Sequence, residues 1–214
     1  MRKAVKIILA CLVFAALARA QDVKFSVGPQ AGIAIEAFEQ GWSDYFSVGF
    51  GGGAHADVDI VRFFSVRLNV DYYTFASDKD KLKTLVADYY GILPSDIASL
   101  SGGNVGSFNV SMQAIGKIPT QSSVTPYALF GVGIHSLTLS DLNGSSPTYG
   151  SGTITSDQIN FDGGTKFGLD FGFGVEYAAS RQVALTMEFR YVLVFTKNQN
   201  NGAMPITIGA NFHL

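Results

Sequence analysis

An all-β chain that closes as an eight-stranded antiparallel up-and-down barrel is the fold this sequence predicts, on three observations. Bulky apolar residues alternate with glycine or charge along eight segments of 9 to 14 residues. The connections between those segments are alternately short and long. Beyond the N-terminal leader, no apolar run reaches the roughly 20 residues that a spanning helix needs.

The leader is set apart by charge. Arg2, Lys3 and Lys6 precede the apolar run Ile7 to Ala18, and Ala18-Arg19-Ala20 has the small-x-small form of a cleavage site. Residues 1–20 therefore read as a secretory signal peptide and 21–214 as one barrel domain. Removal of Arg2, Lys3, Lys6 and Arg19 leaves 11 cations against 17 acids, a net charge of −6. Such a balance excludes nucleic acid as a partner. Cys11 is the only cysteine and departs with the leader, which excludes a disulfide framework, a thiol nucleophile and a cysteine metal site.

The strands follow in order. In 24–34, Phe25, Val27, Pro29, Ala31 and Ile33 oppose Lys24, Ser26, Gly28, Gln30 and Gly32. Segment 46–58 alternates less cleanly through Val48, Phe50 and Val58. In 64–73, Phe64, Val66, Leu68, Val70 and Tyr72 oppose Ser65, Arg67, Asn69, Asp71 and Tyr73. Segment 107–116 keeps Phe108, Val110 and Met112 in phase. Segment 126–139 begins with Phe130, Val132 and Ile134 in phase, then slips between His135 and Leu137, where a bulge is expected. In 166–177 every bulky group (Phe167, Leu169, Phe171, Phe173, Val175, Tyr177) faces away from Lys166, Gly168, Asp170, Gly172, Gly174 and Glu176. Segment 183–196 sets Leu185, Met187, Phe189 and Tyr191 against Thr186, Glu188 and Arg190, and 206–214 sets Ile206, Ile208, Ala210, Phe212 and Leu214 against Thr207, Gly209, Asn211 and His213.

Alternation alone fits any sheet with one wet face. The bulk of these apolar faces decides, because eight strands enclose too narrow a space to hold them. Outward apolar groups and inward glycine and charge fit better. The strand lengths match the 9 to 11 residues of a tilted membrane-spanning strand, and only a closed barrel lets strands satisfy their backbone groups in hydrocarbon. Short links near 59–63, 117–124 and 178–182 alternate with long ones at 35–45, 77–104, 140–163 and 197–203, as in outer-membrane barrels. A soluble secreted ligand-binding barrel is the runner-up.

The stretches MPITIGANFHL, TPYALFGVGI and GLDFGFGVEYAASRQVALTMEFRY resemble the small eight-stranded outer-membrane barrel family of OmpA/OmpX type, over the whole mature chain. The resemblance implies a bacterial outer membrane location, with outer-membrane lipid, lipopolysaccharide and the barrel-assembly machinery as partners. It implies that Phe212 and Leu214 act as the assembly signal, although Leu214 replaces the usual terminal Phe. It also brings in lipid A deacylases and palmitoyltransferases, which use this architecture with a Ser, a His and a carboxylate.

Inward-facing ionisable candidates are Lys24, His55, Asp57, Arg67, Asp71, Lys166, Asp170, Glu176, Glu188 and Arg190. Buried charge requires pairing, so a salt-bridge ladder closing the lumen is expected; a proton or ion path through the same groups is the alternative. The serine-histidine pair His135-Ser136 has its members on opposite strand faces, which disfavours catalysis. His55 and Asp57 at i and i+2 give two metal ligands without a third, and the glycine run 49–53 has no following Lys-Ser or Lys-Thr to hold a phosphate. No cofactor or metal is expected.

In the second long loop, Leu82, Leu85, Val86 and Tyr89 have helical spacing over 78–90, and Pro94 to Leu100 suggests another short helix. Loop 140–163, rich in Ser, Gly and Thr, reads as mobile and exposed. Together 77–104 and 140–163 are the expected site of any extracellular ligand. The expected role is a non-enzymatic structural or surface-interaction one, followed by a narrow porin-like or hydrophobic-solute channel, then lipid A modification.

Overall fold

In the computed structural model, which describes residues 24–36, 45–46, 48–155, 163–196 and 200–214, eleven strands and one helix follow in chain order. They are β1 (Lys24–Glu36), β2 (Gly49–Val61), β3 (Phe64–Phe75), α1 (Lys79–Tyr90), β4 (Ser99–Gly102), β5 (Val105–Lys117), β6 (Val124–Leu139), β7 (Leu142–Ser146), β8 (Gly150–Ile154), β9 (Gly164–Ala178), β10 (Val183–Phe195) and β11 (Asn200–His213). Eight of these close a barrel in the order β1-β11-β10-β9-β6-β5-β3-β2, every neighbouring pair antiparallel. The leader expected at 1–20 lies outside the described residues.

The barrel is inside out relative to a soluble protein. On β9, Phe173 is 63% exposed while Asp170 is 1% exposed. The same inversion holds on β3, where Leu68 and Tyr72 are exposed and Arg67, Asn69 and Asp71 are buried. Water would penalise so much uncovered apolar surface; hydrocarbon does not. Along β9 and β10 the pairs Phe167–Phe195, Phe171–Tyr191 and Phe173–Phe189 bring ring centroids to 6.0, 5.1 and 5.3 Å on that outer surface.

Two expectations are corrected and one is narrowed. No slip occurs between His135 and Leu137, because β6 stays in continuous register with β5 and β9 and keeps Tyr127, Leu129, His135 and Leu137 inward. The contrast fades there because the bore itself turns apolar: Leu137 packs on Val192 and Val194. The short helix expected within Pro94 to Leu100 is present as a 3-10 helix but spans only Pro94–Asp96, after which β4 begins at Ser99. The part of loop 140–163 that is described up to residue 155 is not a bare segment, since β7 and β8 form a hairpin whose first strand pairs with β4 in a separate three-stranded sheet, and 156–162 lie outside the described residues.

Short connections lie at one rim, at residues 62–63, 118–123 and 179–182, and α1 with the three-stranded sheet stands above the other. Asp78 caps α1, its carboxylate accepting from the Asp80 and Lys81 amides, and Gly91 ends it in the left-handed region at φ 64°. The inner face of α1 buries Leu82, Val86 and Ala87 against Ile97, Leu142 and Ile154, giving this lobe a core of its own. Backbone bonds close the base of the lobe where the chain leaves the barrel strands, from Asp78 N to the Tyr45 carbonyl (2.7 Å), Gly103 N to Ser140 O (3.1 Å) and Ser140 N to Asn104 O (2.9 Å).

Candidate functional site

The bore is filled in layers. Nearest the short-turn rim, Lys117 Nζ lies 2.9 Å from Asp59 and 4.0 Å from Glu176. Above them Arg67 makes a two-pronged bond to Asp57, Nε to Oδ1 at 2.7 Å and Nη2 to Oδ2 at 2.9 Å, and its third nitrogen donates to Glu188 Oε2 at 2.7 Å. The first pair is a direct consequence of the β2–β3 hairpin, which places Asp57 opposite Arg67. Tyr127 donates to the same Glu188 oxygen at 2.8 Å, with Arg67 6.0 Å above its ring.

Arg190 continues the chain of charge. Its Nε is 3.0 Å from Glu188 Oε1 and its Nη2 2.8 Å from Asp71 Oδ2, close ion pairs without hydrogen-bond alignment. Asp71 also accepts from Gln30 and Asn69, and Gln113 donates to Asp170 at 3.1 Å. One network, Asp57–Arg67–Glu188–Arg190–Asp71, thus crosses the barrel with every member at most 3% exposed. Cation and carboxylate alternate along it, the arrangement that offsets desolvation of buried ions.

Both buried histidines pair with amides. His55 Nε2 meets Asn211 Oδ1, and His135 Nδ1 lies 2.7 Å from Asn109 Oδ1. An amide oxygen only accepts, so each imidazole donates from that nitrogen. His135 Nε2 is 3.7 Å from Asp170, beyond hydrogen-bond length. Inward glycines make the space for these rings: a Cβ on Gly168 would strike His135, and one on Gly174 would strike Tyr127.

The remaining sequence candidates sit at the ends. Lys24, expected inward, is exposed at the start of β1. Lys166 is half-buried toward the long-loop rim, and Glu176 accepts from Asn211 Nδ2 at 3.1 Å near the short-turn rim. His55 and Asp57 acquire no third ligand; among the described residues no group of three metal-binding side chains exists. His135 is fully buried while Ser136 belongs to the other face of β6. The uncharged partners Gln30, Asn69, Asn109, Gln113, Asn211 and Tyr127 are hydrogen-bonding positions of the bore that the search for ionisable groups passes over.

Over the polar layers lies an apolar seal. Tyr73, Phe75, Val105 and Ala34 form one buried cluster and Leu137, Val192 and Val194 another. The void between them is about 20 Å³, close to the size of a single water. In the lobe beyond, a cavity of about 340 Å³ opens between α1 and the three-stranded sheet. Lys79, at the lobe's base, donates to Ser77 Oγ at 2.6 Å and to the Gly102 carbonyl, and partial burial lowers its ammonium below the usual lysine range.

An apolar belt around a closed polar bore defines an integral membrane β-barrel of the outer-membrane class. The chain matches the outer membrane protein beta-barrel domain over residues 7–213 and belongs to that family, which places it in the bacterial outer membrane. No curated protein sequence matches it. Solved structures share its fold: neisserial surface protein A at 16% identity and TM-score 0.55, covering 88% of this chain and 96% of that one; a major outer membrane protein of Thermus thermophilus at 14% and 0.57, covering 91% and 100%; and OprG of Pseudomonas aeruginosa at 11% and 0.50, covering 90% and 96%.

Proposed function

We propose that this protein is a non-conducting, non-enzymatic element of the outer membrane wall that contributes to envelope integrity and presents loops 77–104 and 140–163 to the outside, through a lobe built from 77–104 and 140–155. The observation that carries this reading is the ion-paired chain from Asp57 to Asp71 under the apolar seal. A hydrated ion has no continuous path past buried guanidinium groups already held on two sides. Outer-membrane lipid and lipopolysaccharide are its lateral partners through Phe171, Phe173 and their neighbours. Phe212, outward-facing at the end of β11, and Leu214 serve as the contact for the assembly machinery.

Planar-bilayer recording tests the central claim. The refolded protein should give no stepwise current in molar potassium chloride; discrete, reproducible openings would instead establish the narrow-channel reading. Mass spectrometry of lipid A from cells with and without the protein should give identical spectra, and a changed acyl pattern would overturn the non-enzymatic part.

A further inference from the structure

The lobe's cavity is written into the sheet that floors it. Strands β4, β7 and β8 turn one face toward α1, and on that face the opposed pair Leu142 and Ile154 fills the lobe's core. The next opposed pair on the same face is Gly144 and Gly152, with Leu100 beside Gly144, and the one after is Ser146 and Gly150. On β7 and β8 side-chain bulk therefore stops after one layer, and Leu100 of β4 is the one large group of the second. A Cβ on Gly152 would meet nothing within 4 Å, and one on Gly144 would approach only the Leu100 side chain, at 3.6 Å, and the Ser99 carbonyl, at 3.8 Å. The space left is the cavity of about 340 Å³, roofed by Val86 and Tyr90 of α1 and flanked by Ile97 and Tyr149.

We infer that this cavity is a binding site for a small neutral aromatic molecule of about two rings. Size follows from volume: an apolar cavity of roughly 150 Å³ stays dry and admits benzene, and this one is about twice that. It also falls within the ~300–1,000 Å³ of ordinary ligand pockets. Neutrality follows from the lining, which holds no carboxylate, ammonium, guanidinium or imidazole among the described residues. Its serine hydroxyls include two already engaged: Ser145 Oγ is bonded to Ser99 Oγ at 2.6 Å, and Ser146 Oγ accepts from the Thr148 and Tyr149 amides. Aromatic character follows from Tyr90 and Tyr149, which both line the cavity and are each more than half exposed, leaving ring surface uncovered for stacking. The site is separated from the bore by the seal of Leu137, Val192 and Val194, so binding there implies capture and not passage.

The inference rests on the lobe being an ordered outward structure, but not on the bore being closed. The test is backbone-amide NMR of the refolded full-length protein in detergent micelles, titrated with 2-naphthol near neutral pH. Amides of Ile97, Gly144 and Gly152 should shift saturably, whereas amides of the lipid-facing Phe171 and Phe173 drift linearly as the probe enters the micelle. In Gly144→Val/Gly152→Val the saturable shifts should vanish while the barrel spectrum is unchanged. If that variant loses the lobe's dispersed resonances, Gly152→Ala, which adds one methyl in open space, should weaken binding measurably. Lobe amides that stay still, that drift with the lipid-facing ones, or that saturate equally in the filled variant would overturn the inference. So would contacts from the detergent chain to those amides that naphthol fails to displace, which would make the occupant an acyl chain. A conducting protein that still binds naphthol refutes only the closed-bore reading, and a silent lobe on a non-conducting barrel refutes only this one.

Discussion

Replacing Arg67 by methionine isolates the interaction on which the proposed closure of the bore depends. Arg67 is 2% exposed and donates three bonds, two to Asp57 and one to Glu188, whose side chains are 1% and 3% exposed. After Arg67→Met, Glu188 keeps the Tyr127 hydroxyl and the neighbouring Arg190. Asp57 loses both of its ion-pair bonds, so the penalty concentrates on one orphaned carboxylate. Breaking a buried pair from one side costs about 3–5 kcal/mol, and the residual support of Glu188 places the expectation near the lower bound, about 3 kcal/mol. That is roughly a hundredfold in the folded-to-unfolded ratio. Urea unfolding in phosphocholine vesicles, followed by the gel mobility of folded and unfolded forms, measures it. The double variant Asp57→Leu/Arg67→Met removes both charges and should recover most of the loss, because apolar replacement of a complete buried pair is often neutral. A loss under about 1 kcal/mol for Arg67→Met, or a double variant as poor as the single one, would mean that water solvates the orphaned carboxylate. The bore would then be wet, and the reasoning wrong.

Gly174→Leu should drive a side chain into the Tyr127 ring and destabilise folding by about 1–3 kcal/mol, while Gly116→Ala, where a Cβ meets nothing within 4 Å, should leave the folded fraction unchanged on the same gels. Phe171→Cys and Phe173→Cys, carrying a fluorophore, should be quenched by a lipid-borne nitroxide, and the inward Ser111→Cys should not; equal quenching would contradict the outward apolar face. Asp78→Ala removes the cap on α1 and should speed hydrogen exchange at Leu82 and Val86 by an amount equivalent to about 1 kcal/mol, with protection in β9 and β10 unaltered.

How much of this could be read in the sequence depends on how far apart the interacting residues stand. Phe171 and Asp170 declare their faces by alternation alone, so the inverted barrel is legible strand by strand. Asp57 and Arg67 face each other across a two-residue turn, a pairing that hairpin register supplies. Arg67 and Glu188 are separated by 121 residues and meet only because the ring closes. His135 obeys the alternation and is missed for a different reason: inward residues are expected to be polar, and Leu137, Val192 and Val194 break that rule where the bore turns apolar. Lys24 has the right parity yet lies too near the end of its strand to be enclosed. The neutral amides Gln30, Asn69, Asn109, Gln113 and Asn211 carry no charge to draw notice, although they supply much of the hydrogen bonding that buried carboxylates and imidazoles require.

The same reasoning accounts for the lobe. Strands β4, β7 and β8 are 4 or 5 residues long and dominated by serine, glycine and asparagine, too short and too polar to show a period of two. Their pairing joins two loops separated by the whole of β5 and β6, and such contacts follow from the barrel having already brought the loop ends together at one rim. Loop closure entropy grows only slowly with length, so with the loop ends held at one rim, a modest apolar core of Leu82, Val86, Ile97, Leu142 and Ile154 holds residues 77–104 against 140–155. Barrel closure thus brings together the loop ends from which the lobe is built. It follows that perturbing the lobe should leave the wall intact, whereas perturbing the Asp57–Arg67 layer should loosen both.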